Sequence, residues 1–131
     1  MDTPSVEDLR GSALFGEVPD GQLTEVAEWF ETRLVDAGEV LAREGASGYA
    51  FMVLGTASAA VSHGDEVVRT LGPGDWFGEA AILGSGRRTA TVTVTTAGTV
   101  WELFGTRFRE LGQKFPDQQA LIESVLSERQ A

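Results

Sequence analysis

Most of the chain's 16 glycines lie between Gly38 and Gly98, where they divide the sequence into short apolar segments. Segments of this length, separated by glycine, are typical of many short strands joined by tight turns. The clearest is Thr89–Thr95, whose β-branched residues alternate with a period of two, as in a half-buried strand. We predict strands at Val40–Leu41, Tyr49–Leu54, Ala57–Val61, Val67–Leu71, Arg88–Thr95 and Thr99–Leu103.

Both ends of the chain carry helical patterns. Ser5 and Asp8 have the spacing of a capping box, and Pro19-Asp20 is a typical helix start. Apolar residues recur with the helical period in three stripes: Leu23, Val26, Ala27 and Phe30; Phe108, Leu111 and Phe115; and, after the helix breaker Pro116, Leu121, Ile122, Val125 and Leu126. The sequence therefore predicts one α+β domain over residues 1–131, with N-terminal helices at 1–36, an antiparallel β-roll (a jelly-roll-like double sheet) at 37–104 and C-terminal helices at 105–131.

Composition excludes several classes of function. The chain has 131 residues, no cysteine and one histidine, His63, so we expect neither thiolate chemistry nor a metal site. A metal enzyme with a cupin-like roll needs clustered histidine and carboxylate ligands, so we do not expect an enzyme. The net charge of -10 disfavours direct binding to nucleic acid or anionic lipid, and no apolar run approaches the roughly 20 residues of a membrane span. We expect a cytoplasmic domain without membrane insertion.

The segment from Gly72 to Val92 has the features of an anion site. Its glycines at positions 72, 74 and 78 allow the backbone to approach a ligand closely, and Glu79–Leu83 is long enough for one helical turn with unpaired N–H groups. Such donors favour a phosphate, and Arg88 would add a charge-assisted contact to its oxygens. Glu79 would be repelled by a phosphate, but its carboxylate could accept a hydrogen bond from a ribose hydroxyl.

Residues Phe77–Val92 closely resemble the phosphate-binding cassette of cyclic nucleotide-binding domains. The family pattern is matched by Phe77-Gly78-Glu79, Ala81, Arg88, Thr89, Ala90 and Thr91. The resemblance extends over most of the chain, because two further family signatures are present at Ala37–Leu41 and Arg43–Gly45. It implies N-terminal helices, an eight-stranded β-roll and terminal helices.

The resemblance also implies a role for each matched position. Gly78 and Ala81 lend backbone donors, Glu79 holds the ribose 2′-hydroxyl, Arg88 binds the exocyclic phosphate oxygens and Thr89 adds a second phosphate contact. The purine is expected to rest against apolar walls of the roll. Position-matched candidates for contacts with the base are Val61, Leu71 and, in a terminal helix that would fold over as a lid, Arg129.

We therefore expect a sensor that binds a 3′,5′-cyclic purine nucleotide and signals by rearranging its C-terminal helices. The bacterial relatives with this pattern favour cAMP, whereas a threonine at position 89 can also bond the guanine of cGMP, so the choice of purine stays open. The sequence leaves open which effector domain or protein responds and whether the chain forms a homodimer. The alternative is a degenerate roll that has lost the nucleotide and serves as a protein-interaction module.

Overall fold

Two antiparallel four-stranded sheets form a roll with helices on one side. The computed structural model describes residues 3–12, 15–16, 18–46, 50–78, 88, 90–117 and 120. Its helices are α1 (Val6–Arg10), α2 (Asp20–Trp29) and α3 (Gly105–Lys114). Its strands are β1 (Glu31–Val35), β2 (Val40–Ala42), β3 (Ala50–Leu54), β4 (Ser58–His63), β5 (Glu66–Leu71), β6 (Trp76–Phe77), β7 (Thr91–Thr96) and β8 (Gly98–Phe104).

The N-terminal helices begin where the sequence predicts. The Ser5 hydroxyl accepts the Asp8 N–H at 3.0 Å, and the Asp8 carboxylate accepts the Ser5 N–H at 3.0 Å, so the capping box of α1 is confirmed. α2 begins at Asp20, directly after Pro19, and its predicted apolar stripe is buried. Both helices therefore present one apolar face to the roll.

The first sheet has the strand order β1-β8-β3-β6 and the second has the order β2-β7-β4-β5. Strand β3 is buried along its whole length, because it lies inside the first sheet and both of its faces are covered. On one face, Phe51 and Val53 pack against the helices; on the other, Met52 and Leu54 point into the roll. The predicted α+β class with an antiparallel β-roll is confirmed.

Two apolar clusters result from this arrangement. The first lies between the helices and the first sheet and includes Leu23, Phe51, Trp101, Phe108 and Leu111. The second fills the roll between the two sheets, with side chains from both. Because β3 contributes side chains to both clusters, this shared strand fixes the helical layer and the roll to each other. Strand β6, with which the predicted cassette begins, pairs with this shared strand.

The boundaries of two predicted elements differ from the structure, and a third element is outside the described residues. Glu31–Val35 is a strand, although the sequence places residues 1–36 in helices. This strand lies at the edge of its sheet and buries only Val35, so it lacks the alternating apolar pattern by which strands are recognised. Strand β7 begins at Thr91, so Arg88 precedes the strand that was predicted to start with it. Residues 121–131, with the second predicted C-terminal helix, lie outside the described residues.

In the described part of the chain, no helix is long and apolar enough to span a membrane.

Candidate functional site

The loop before β6 is fixed to its neighbours on both sides. Gly74 has a φ of 92°, its N–H donates to the Leu54 carbonyl at 2.7 Å, and its own carbonyl accepts the Ser12 hydroxyl at 3.0 Å. The Asp75 carboxylate accepts the Gly72 N–H at 2.8 Å and closes the turn. These bonds hold the start of the predicted cassette against β3 and the end of α1.

Strand β6 then carries the chain to Gly78. Trp76 pairs with Val53 and Phe77 pairs with Met52, so the two aromatic side chains enter the two different apolar clusters. Gly78 follows with a φ of 101°, a conformation that side chains other than glycine rarely adopt. The backbone therefore favours glycine at position 78, directly after β6.

Gly78 lies in close contact with Arg88. A Cβ placed on Gly78 would be 2.8 Å from Nη1 of Arg88, 2.4 Å from the Ala50 carbonyl oxygen and 3.3 Å from Cα of Phe51. The guanidinium group thus reaches across to the backbone of β3 and β6 instead of extending into solvent. The structure brings together two of the residues that the sequence predicted for the site.

Two hydrogen bonds hold the backbone of Arg88. Its N–H donates to the Ala46 carbonyl at 2.8 Å, and its carbonyl accepts the Gly45 N–H at 2.9 Å. Among the described residues, Arg88 is the one charged residue that is buried, with 9% of its surface exposed. Because moving a cation out of water is costly, such a position is characteristic of a group with a specific polar role.

The apolar candidates lie in the roll interior. Val61 and Leu71 are 2% and 5% exposed and belong to the same cluster as Phe77 and Ala90, which flank Gly78 and Arg88 in the chain. Their contact with a base stays a prediction. The remaining predicted ligand residues, Glu79, Ala81, Thr89 and Arg129, lie outside the described residues.

The sequence pattern gives no indication of three backbone groups at this site, which belong to Ala50, Gly45 and Ala46. The Ala50 carbonyl faces the Gly78 position, and the Gly45-Ala46 turn pairs with the backbone of Arg88. A backbone group leaves no mark in the side-chain pattern. The one available signal was the family signature at Arg43–Gly45. It singles out this turn but does not indicate that the turn pairs with Arg88.

Comparisons with known proteins agree on one family. The family model for the cyclic nucleotide-binding domain matches residues 32–115. A cGMP-dependent protein kinase of Toxoplasma gondii is 32% identical over 104 residues, which make up 79% of this chain and 10% of the kinase. The chain thus spans about a tenth of that relative's length.

The solved structures that share the fold include two regulatory proteins with bound cAMP. The cAMP-bound PfPKA-R structure gives a TM-score of 0.85 at 25% identity, over 95% of this chain and 44% of the other. The regulatory domain of Toxoplasma gondii PKA with cAMP gives a TM-score of 0.71 at 33% identity, over 80% of this chain and 42% of the other. Because the matching family model covers most of the roll together with α3, the chain belongs to the cyclic nucleotide-binding domain family.

Proposed function

We propose that this domain binds a 3′,5′-cyclic purine nucleotide, with cAMP preferred, and acts as a regulatory sensor. The observation that carries the proposal is the buried guanidinium of Arg88, which lies against Gly78 at the edge of the roll interior. A cyclic nucleotide joins a singly charged phosphodiester to an apolar purine. A buried cation beside the apolar side chains of the roll interior is complementary to both parts.

In this proposal, Arg88 binds the exocyclic phosphate oxygens through its planar pair of N–H donors. The low-dielectric surroundings would strengthen that contact relative to one in water. Gly78, with Ala81, would supply backbone N–H donors, Glu79 would hold the ribose 2′-hydroxyl, and Thr89 would add a second phosphate contact.

The purine would rest on the apolar wall to which Val61 and Leu71 belong, with Arg129 approaching from the terminal helix. The preference for cAMP is supported by the two cAMP-bound structures that share the fold. The similarity to the Toxoplasma kinase, whose name specifies cGMP, favours cGMP instead. The two ligands are therefore compared directly in the experiment below.

A signal could pass from this site to the C-terminal helix through β3. Cα of Phe51 lies 3.3 Å from the position of a Cβ on Gly78, and its ring packs on Phe108 of α3 with a centroid distance of 4.9 Å. A ligand that shifts the Gly78 segment would change this packing. The chain matches regulatory domains that are not themselves catalytic, so we propose that it performs no reaction and that an effector domain or protein responds to the helix.

Calorimetric titration of the chain with cAMP, cGMP and AMP tests the function. We expect the cyclic nucleotides to bind, cAMP more tightly, and AMP to bind far more weakly because its phosphate carries a second charge and lacks the ring. Silence toward all three nucleotides would refute the sensor and favour the protein-interaction module. Hydrolysis of any nucleotide would instead indicate an enzyme.

The variant Arg88→Ala tests the site. It should lower the affinity by about 2–4 kcal/mol, or roughly 30- to 700-fold, because the bonds to a desolvated phosphate are lost. The matched control is Arg109→Ala, which removes the same charge from an exposed position in α3, outside the turn that pairs with Arg88. Equal affinities of the two variants would show that Arg88 does not contact the ligand.

A further inference from the structure

The turn Arg43–Ala46 forms the backbone partner of Arg88. The Gly45 N–H donates to the Arg88 carbonyl at 2.9 Å and the Arg88 N–H donates to the Ala46 carbonyl at 2.8 Å. Arg88 precedes β7 by three residues, so it lies outside the hydrogen-bond ladder of that strand. The position of its main chain therefore depends on where this turn lies.

Two further hydrogen bonds fix the turn from opposite sides, and both involve Glu44. Its backbone N–H donates to the hydroxyl of Thr91 in β7 at 3.0 Å. Its carboxylate accepts the N–H of Gly64 at 2.9 Å. Gly64 has a φ of 58° and lies at the tip of the hairpin that joins β4 to β5. One residue thus connects the first residue of β7, the hairpin tip and the turn that pairs with Arg88.

This arrangement accounts for two sequence features to which the resemblance gives no role. Thr91 is the hydroxyl residue that ends the cassette pattern, and its hydroxyl is occupied by Glu44. Glu44 is exposed, as expected of an acidic surface residue, yet its carboxylate bonds a backbone group twenty positions away in the chain. A ligand-binding side chain must be positioned to within a fraction of an ångström. Hydrogen bonds among the residues that support it provide that precision.

We propose that Glu44 and Thr91 are positioning residues that set the place of Arg88 through the turn Arg43–Ala46. The inference rests on the proposed function, in which Arg88 binds the phosphate. Neither residue touches the ligand in this proposal. A disturbance at the hairpin tip would pass through the Glu44 carboxylate to the turn and then to the main chain of Arg88.

The first test compares two substitutions of Glu44 by calorimetric titration with cAMP. Glu44→Ala removes the acceptor and should weaken binding about 3- to 10-fold, the effect of one hydrogen bond of ordinary net strength. Glu44→Gln keeps an oxygen acceptor at the same distance and should bind within about twofold of the original chain. The alternative is a long-range effect of the Glu44 charge on the phosphate. In that case Glu44→Ala and Glu44→Gln would change the affinity for cAMP equally, and Glu66→Ala on the same hairpin would have a similar effect.

The second test separates positioning from general stability. Thr91→Val keeps the β-branched shape but loses the hydroxyl, and it should weaken cAMP binding to a similar degree as Glu44→Ala. In chains that already carry Arg88→Ala, neither substitution should change the residual affinity, because the group they position is absent. Equal losses with and without Arg88 would overturn the proposal.

The third test does not depend on the nucleotide. Hydrogen exchange of the Arg88 amide, which donates to Ala46, should be faster in Glu44→Ala than in Glu44→Gln. Unchanged exchange would refute the positioning role even where cAMP binds well. If the original chain binds no cyclic nucleotide, the proposed function fails, while the exchange rates still decide whether Glu44 fixes the turn.

Discussion

Replacing Gly78 with alanine is expected to damage both stability and ligand binding, because the space for a Cβ is already occupied. The new Cβ would lie 2.4 Å from the Ala50 carbonyl oxygen, which is about 1 Å short of the 3.4 Å at which ordinary contact begins. It would also lie 2.8 Å from Nη1 of Arg88. The carbonyl belongs to the central buried strand β3, so the guanidinium is the neighbour that can move.

The size of the effect has two parts. Alanine in the left-handed region costs about 1–2 kcal/mol, and an overpacked contact costs about 1–3 kcal/mol. The matched control is Gly38→Ala, because Gly38 has a φ of 92° but nothing within 4 Å of its Cβ position. Gly38→Ala therefore reports the backbone part alone. We expect Gly78→Ala to lower the free energy of unfolding by about 2–5 kcal/mol and Gly38→Ala by about 1–2 kcal/mol.

Urea unfolding measures the stabilities of both variants, and calorimetric titration with cAMP measures the affinities of whichever variants are folded. Displacement of Arg88 should weaken binding by Gly78→Ala at least about tenfold, whereas Gly38→Ala should stay within about twofold of the original chain. Equal stabilities of the two variants, together with unchanged affinity of Gly78→Ala, would refute the close packing of Gly78 and Arg88. The thermal midpoint and the circular dichroism spectrum establish that the compared variants are folded.

Two further substitutions test the packing of the fold. Phe108→Leu should lower the free energy of unfolding in urea by about 1–3 kcal/mol, because a fully buried ring is lost. The control Phe104→Leu replaces a ring that is 48% exposed and should change this free energy by less than about 0.5 kcal/mol. Equal effects of the two substitutions would contradict the burial of α3. Gly55→Ala would place a Cβ 2.4 Å from the Thr99 hydroxyl and should destabilise the fold by about 1–3 kcal/mol. Its control is Gly21→Ala in α2, where the Cβ would meet open space, and it should be neutral or stabilise the fold by up to about 1 kcal/mol. A thermal melt of Gly55→Ala that matches that of Gly21→Ala would show that the turn is loosely packed.

The elements that sequence predicts well are those with a local signal. The capping box at Ser5 and the alternation predicted in Thr89–Thr95 each depend on residues a few positions apart, and they correspond to α1 and β7. Strand β1 has no such signal. It contains Glu31 and Arg33, buries one residue, and is a strand because β8 pairs with it from far along the chain. Pairing of this kind is a property of the tertiary structure, which local patterns do not encode.

The same distinction applies to the site. The spacing between Gly78 and Arg88 matches the family cassette, and the structure does bring the two residues into contact. The groups that hold the main chain of Arg88 in place are the N–H of Gly45 and the carbonyl of Ala46. Every residue carries these backbone groups, so their role arises only from the fold. Sequence thus identifies the side chain that would do the binding, and the structure identifies what positions it.

The contacts of α3 indicate how such a domain would transmit a signal. On its inner side, Phe108 is fully buried against Phe51, a contact whose loss would cost several kcal/mol. On its outer side, Arg107 and Lys114 lie 5.5 and 5.7 Å from the ring centre of Trp29 in α2, and such cation–π contacts contribute only about 0.5–1 kcal/mol each near solvent. A rearrangement that breaks the outer contacts while keeping the inner one therefore costs far less than one that removes α3 from the sheet. We expect α3 to pivot about Phe108 when the ligand displaces the Gly78 segment, which would carry the chain after Lys114 to a new position without unfolding the core.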